Sequence, residues 1–193
     1  MSWSVASGLE DKGVIVTGAA GGIGLATAKA FAESGARVFV VDLDSEKSES
    51  VANSLPGEGH KSAGVDLSDL NQQKSLISQI EDSFGEVHAL AHLAAVLRRR
   101  DSLDLISEQD WDLQIDVNLK ASFFLCRSVA DSMIDNGIEG KIITFSSQGW
   151  WSGGFGGSVV YCASKGGIVS MARGLARTFG PHGITVNTVA PGL

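Results

Sequence analysis

Thr17-Gly18-Ala19-Ala20-Gly21-Gly22-Ile23-Gly24 follows the apolar run 13–17 and passes straight into the helix-like stretch LATAKAFAESG. The order is strand, glycine turn, helix. Such a turn brings the amides of a helix's first turn up to a pyrophosphate, where the helix dipole and unpaired donors favour negative charge and side chains would block the approach. Gly18, Gly22 and Gly24 meet that need. A tight turn under close helix–sheet packing is the other reading of the same glycines.

Outward from the turn, the second strand candidate, 37–42, ends in Val40-Val41-Asp42, eighteen residues past Gly24. A carboxylate there can accept from both ribose hydroxyls of an adenosine. A 2′-phosphate would set its own charge against Asp42, and no Arg or Lys stands in the glycine loop or directly after Asp42. NAD is therefore expected in preference to NADP. A strand-end Asp capping the next helix is the plainer alternative. Asp66, in Val65-Asp66-Leu67, is placed to reach the adenine edge.

Along the rest of the chain, short apolar runs alternate with longer amphipathic stretches, the pattern of parallel strands joined by crossover helices. The strand candidates are 13–17, 37–42, 61–65, 87–92, 141–146 and 184–189, and helices are predicted to begin near Gly22, Ser45, Asp69, Ser107 and Ser158. This predicts an α/β protein. A length of 193 residues suits one domain. With 44% hydrophobic and 19% charged residues, disorder is excluded. The net charge of −7 repels polyanions, so no nucleic acid partner is expected.

Cys126 and Cys162 are too few for a disulfide scaffold and read as small apolar residues. The amino-terminal MSWSVASGLEDKG has no leader pattern, and no apolar run reaches about 18 residues. A cytoplasmic protein without a membrane partner is expected. The four histidines and two cysteines show no metal-ligand spacing, so no metal site is expected.

Tyr161 and Lys165 stand four residues apart in SVVYCASKGGIVSMARGLARTFG, hence on one helix face. Bringing a phenol of pKa near 10 down to neutrality takes roughly 4 kcal/mol. A cation about 4 Å away, at an effective dielectric of about 20, supplies about that much. Lys165 is thus expected to make Tyr161 acidic. Upstream, Ser146-Ser147-Gln148-Gly149 offers a hydroxyl to hold a substrate oxygen beside the phenol.

In these segments the chain resembles the short-chain dehydrogenase/reductase family: TGAAGGIG resembles its TGxxxGxG loop and YCASK its YxxxK motif. The similarity takes in VNL at Val117 to Leu119, SSQG at Ser146 to Gly149 and VNTVAPG at Val186 to Gly192. It implies a single-domain Rossmann-type doubly wound parallel sheet with helices on both faces. By the same resemblance Tyr161 is the general acid/base, Lys165 lowers its pKa and binds the nicotinamide ribose, and Ser147 positions the substrate oxygen. Ser147 is preferred to Ser146 as the second serine of the pair, although the fourteen residues separating it from Tyr161 leave the choice open. Asn118 completes a tetrad by holding a water that links Lys165 to a proton relay. The cofactor-binding set is then Gly18, Gly22, Ile23, Gly24, Asp42, Asp66, Ala94, Tyr161, Lys165 and Pro191.

The activity implied is NAD-dependent hydride transfer to or from a small-molecule secondary alcohol or ketone. The alternatives are a nucleotide-binding member of the fold without efficient turnover, and an isomerase or dehydratase. In WDLQIDVNLKASFFLCRSVADSM, Ile115, Leu119, Phe123, Cys126, Ala130 and Met133 recur at helical spacing. The resemblance implies that this helix and the Tyr-bearing helix pair in a homodimer or homotetramer.

The chain departs from the family pattern in several places. It reads His92-Leu93-Ala94-Ala95 where NNAG is usual, so Ala95 adds a methyl and Leu93 removes an amide. His92 is either a polar substitute or a histidine simply hydrogen-bonded in place. Because the family continues past the PG motif, residues 1–193 are expected to be a dinucleotide-binding domain with its C-terminal portion missing, or to lack a disordered tail. Weak NAD binding, poor turnover and an exposed sheet edge would follow. Arg98-Arg99-Arg100 reads as a steering patch for an acidic substrate or as a solvated run partly neutralised by Asp101 and Asp104. Trp150 and Trp151 either wall a substrate pocket or pack in a core or interface.

Overall fold

The computed structural model describes residues 7–192. Residues 1–6, part of the stretch read above for a leader, and Leu193, which ends the PGL segment, lie outside the described residues.

Six strands are formed: β1 (Gly13–Thr17), β2 (Arg37–Asp42), β3 (Lys61–Gly64), β4 (Ala89–His92), β5 (Lys141–Phe145) and β6 (Thr185–Val189). Every pairing is parallel, and the order is β3-β2-β1-β4-β5-β6. The helices are α1 (Gly22–Glu33), α2 (Ser45–Ser54), α3 (Leu70–Phe84), α4 (Glu108–Ile115), α5 (Ala121–Asp135), the single turn α6 (Gly149–Ser152) and α7 (Val159–Phe179). Strands match the sequence reading to within two residues at either end, where ladders fray. Helix starts match as closely, but the caps differ in detail. Asp44, Asp69 and Ser107 accept from first-turn amides of α2, α3 and α4, whereas the Ser158 hydroxyl bonds Phe155.

Alternation along the strands divides the core between two faces. Val14, Val16, Val38 and Val40 pack with Ala28, Ala32 and Ala52 of α1 and α2. Ile15, Phe39, Val41, Leu90 and Ile142 pack on the other side with residues of α3, α5 and α7. Cys126 and Cys162 are buried free thiols, as expected, and burial pushes the Cys126 thiol up to about 12.

The long apolar stripe is corrected at Phe123. Between α4 and α5 the chain makes a π-helical turn, Asp116–Lys120, which inserts an extra residue and re-phases the helix beyond it. Cys126, Ala130 and Met133 of the stripe face inward as expected, joined by Ala121, Ser122, Leu125 and Val129, whereas Phe123 is 38% exposed. A stripe counted at uniform helical spacing cannot register that insertion. Among the described residues, no helix is long and apolar enough to cross a membrane, and no group of three or more His, Cys, Asp or Glu could hold a metal ion.

Candidate active site

Strand order reverses between β1 and β4, and Thr17 stands opposite Val41 on one side and His92 on the other. The carboxyl ends of β1, β2 and β4 therefore open onto one crevice, the usual ligand position in doubly wound sheets. A cleft of about 760 Å³ lies there. It is lined by Gly18, Gly22, Ile23, Gly24, Asp42, Asp66, Ala94, Ser147, Tyr161, Lys165 and Pro191, so all ten cofactor candidates and the preferred serine come together.

The glycines have different tasks. Gly18 adopts φ +67°, and a Cβ there would come within 2.7 Å of the Ala94 amide nitrogen. A Cβ on Gly24 would strike the Gly18 carbonyl. These two glycines therefore serve close packing. A Cβ on Gly22 would meet only open space, and α1 has no side-chain cap, so its first turn offers uncapped amides to the cleft. That combination is a cradle for a phosphate.

The Asp42 carboxylate accepts from the amides of Ala20 at 2.9 Å and Leu43 at 2.8 Å, which fixes it at the cleft edge. Asp66 also lines the cleft, with Oδ1 engaged by the amide and hydroxyl of Ser68. The sequence reading missed Lys47, a cation at the same end of the cleft, paired with Asp44 at 3.1 Å. Its signal is its place in the first turn of α2, which swings a residue five positions past Asp42 back toward the strand end. Val65, Val117 and Phe145 also contribute to the lining and were missed; as plain apolar residues they carry no chemical signature.

Tyr161 lies in the first turn of α7, half-buried, and Lys165 follows one turn later, its ammonium 5.7 Å from the phenol ring centre. Lys165 Nζ donates to the Phe145 carbonyl at 2.7 Å. Burial lowers the Lys165 pKa to about 8. The Tyr161 phenol stands above its ordinary value because burial outweighs the lowering effect of the Ser147 hydroxyl. Burial of the phenol thus opposes the pull expected of Lys165, a desolvation cost that the four-residue spacing alone leaves out. The two serines separate cleanly. Ser146 is buried and its hydroxyl donates to the Lys165 carbonyl at 2.7 Å, while Ser147 Oγ accepts from the Gly149 amide and keeps its proton for another partner.

Asn118 is not at the cleft surface. It is fully buried in the π turn, accepting from the Val96 amide at 2.7 Å and donating to the Val96 carbonyl at 2.9 Å and to Ser164 Oγ at 3.1 Å. Both amide protons are engaged, so its side chain has none to give to a water. The arginine run is also re-read: Arg100 forms a two-point pair with Asp110, rather than with Asp101 or Asp104, through Nε at 2.9 Å and a terminal nitrogen at 2.6 Å. Trp150 and Trp151 stand edge to face at 5.5 Å, and Trp151 is 81% exposed, which rules out a core role for it.

Comparison with known proteins agrees with this geometry. Residues 12–193 match the family model described as short chain dehydrogenase. The chain is 37% identical over 188 residues to the hydroxy(phenyl)methylsuccinyl-CoA dehydrogenase subunit BbsD of Thauera aromatica, covering 96% of this chain and 74% of that protein. It is 36% identical over 185 residues to D-threitol dehydrogenase of Mycolicibacterium smegmatis, covering 95% and 70%. A crystal structure of a short chain dehydrogenase from Bacillus anthracis superposes with a TM-score of 0.89 at 29% identity, over 94% of this chain and 73% of that one.

Proposed function

This chain belongs to the short-chain dehydrogenase/reductase family, and from that premise we propose that it is an NAD-dependent oxidoreductase of a small secondary alcohol or its ketone, with Tyr161 as general acid/base. Its relatives are dehydrogenases acting on alcohols, so oxidoreductase is the class. The observation that carries the finer reading is the single cleft joining the uncapped α1 turn, Asp42, Ser147, Tyr161 and Lys165.

The residues fit the coenzyme. The first-turn amides of α1 beside Gly22 would hold the pyrophosphate, and Asp42 the adenosine ribose hydroxyls. NAD, when bound, supplies the hydride acceptor at C4 of its nicotinamide. Ser147 donates its free proton to the substrate oxygen and so holds it beside Tyr161. Tyr161 takes the hydroxyl proton in oxidation and returns it in reduction. Lys165, anchored on Phe145, sets a positive charge by the phenol, which favours its ionised form against the cost of burial. Lys47 lies paired with Asp44, so Asp42 governs the adenosine end and favours NAD.

The two relatives suggest the test panel. Incubating the chain with NAD and D-threitol or an aryl-substituted hydroxyacyl-CoA, and following nicotinamide absorbance, tests the reading. Turnover abolished by Tyr161→Phe supports it; NADH binding with no turnover of any alcohol favours the non-catalytic alternative. We also propose a homo-oligomer joined through α4, α5 and α7, where Trp111, Phe123 and Val159 are 49%, 38% and 41% exposed. Sedimentation at micromolar concentration checks it.

A further inference from the structure

His92, the last residue of β4, is 3% exposed, and both ring nitrogens have partners. Nδ1 lies 2.7 Å from Thr17 Oγ1, and Nε2 lies 2.7 Å from Ser122 Oγ. Counting protons gives this chain of bonds one direction. Ser122 has a single hydroxyl proton, and the Asn118 carbonyl, 2.7 Å away, can only accept. Ser122 therefore donates to Asn118 and accepts from His92, so Nε2 carries hydrogen. At the other end Thr17 Oγ1 accepts from the Ala94 amide at 3.2 Å and keeps its own proton for Nδ1. Burial, reinforced by the charge of Lys165, holds the imidazole pKa down to about 3. The ring is neutral, and Nδ1 is the acceptor.

What the two ends hold gives the ring its importance. Ala94 lines the cleft and sits against Gly18, where a Cβ would come within 2.7 Å of its amide nitrogen. Asn118 pairs with Val96 and, through Ser164, reaches the Tyr161 carbonyl, to which Ser164 Oγ donates at 2.7 Å. We propose that His92 is a positioning residue: as a neutral Nε2–H imidazole it ties the coenzyme wall at Ala94 to the π turn at Asn118, and so to the start of α7. It touches neither substrate nor coenzyme. The significance for catalysis rests on the dinucleotide reading, whereas the tautomer and the ties do not.

Nitrogen NMR of the 15N-histidine-labelled chain, with His92 assigned by its loss in His92→Gln, reads the tautomer directly. A protonated, pyrrole-type Nε2 and a bare, pyridine-type Nδ1, unchanged between about pH 5 and 8, are expected. A ring that titrates in that range, or carries hydrogen on Nδ1, overturns the proposal.

Two variants separate the ends, because an Asn side chain places its amide near Nδ1 and a Gln side chain near Nε2. His92→Asn should leave the Ala94 amide and NADH affinity within about twofold of the parent while speeding hydrogen exchange at the Val96 amide about tenfold. His92→Gln should speed exchange at Ala94 and weaken NADH about tenfold, sparing Val96. Equal loosening of both ends in both variants refutes the proposal. If the parent binds no NADH, the coenzyme reading fails, while the tautomer and exchange results still decide this one.

Discussion

Lys165 Nζ donates to the Phe145 carbonyl at 2.7 Å, so the last residue of β5 anchors a cation that reaches in from α7. The bond holds the ammonium against the end of the sheet, 5.7 Å from the Tyr161 ring centre. Position is thereby fixed by a backbone atom, which no side-chain substitution at Phe145 can remove.

The burial of that cation makes stability depend on pH. Lys165 titrates near 8 in the folded chain and near its ordinary 10.5 when unfolded. Below about 8 both states hold the proton, and the folded state carries the full cost of a buried charge. Between 8 and 10.5 the unfolded chain keeps a proton that the folded chain has released, so this group's contribution to stability rises with pH. Urea titrations of the parent and Lys165→Met should show their difference moving in the parent's favour across that window, by at most on the order of 3 kcal/mol.

Tyr161→Phe removes one oxygen from a half-buried ring. Turnover should fall by about 10² to 10⁴. NADH affinity, measured by fluorescence titration, should stay within about threefold, because the glycine turn and Asp42 are untouched. Loss of affinity to match the loss of turnover would mean that the phenol binds rather than transfers protons.

Gly18 and Gly22 should respond differently to the same added methyl. Gly18→Ala meets both the φ of +67° and the Ala94 backbone, so a loss of about 2 to 4 kcal/mol in thermal or urea unfolding is expected. Gly22→Ala should leave Tm within about 2 °C. Its effect should fall on NADH affinity, weakened about tenfold or more by the methyl in the phosphate cradle.

Asp42→Asn keeps an acceptor for the Ala20 amide and removes the charge. The ratio of NADPH to NADH dissociation constants should then fall at least about tenfold, with the fold intact by circular dichroism. An unchanged ratio would transfer control of selectivity to Lys47.

Much of this was legible in the sequence because local rules wrote it. The glycine turn, the strand ending at Asp42 and the Tyr161/Lys165 pair each rest on short-range spacing, and the parallel topology carries all three to one edge of the sheet. What was not legible depends on long-range partners. Arg100 finds Asp110 rather than its sequence neighbours because the loop folds back onto the start of α4. Asn118 turns inward to Val96 because the π turn rotates it, and pattern counting assumes no such turn. The upward shift of Tyr161 belongs to burial, a property of packing that a two-residue spacing argument cannot contain.

The irregular turn at Asp116–Lys120 also constrains how this chain can change by insertion and deletion. Excising one residue there would close the wide turn into an ordinary α turn, leaving the helix beyond it facing nearly as it does now but removing the bulge that turns Asn118 toward Val96. Phe123 would stay outward and Leu125 inward, so the cost of a one-codon loss in the turn would fall on the tie between Asn118 and Val96, whereas the same loss within α5 would rotate its buried face toward solvent.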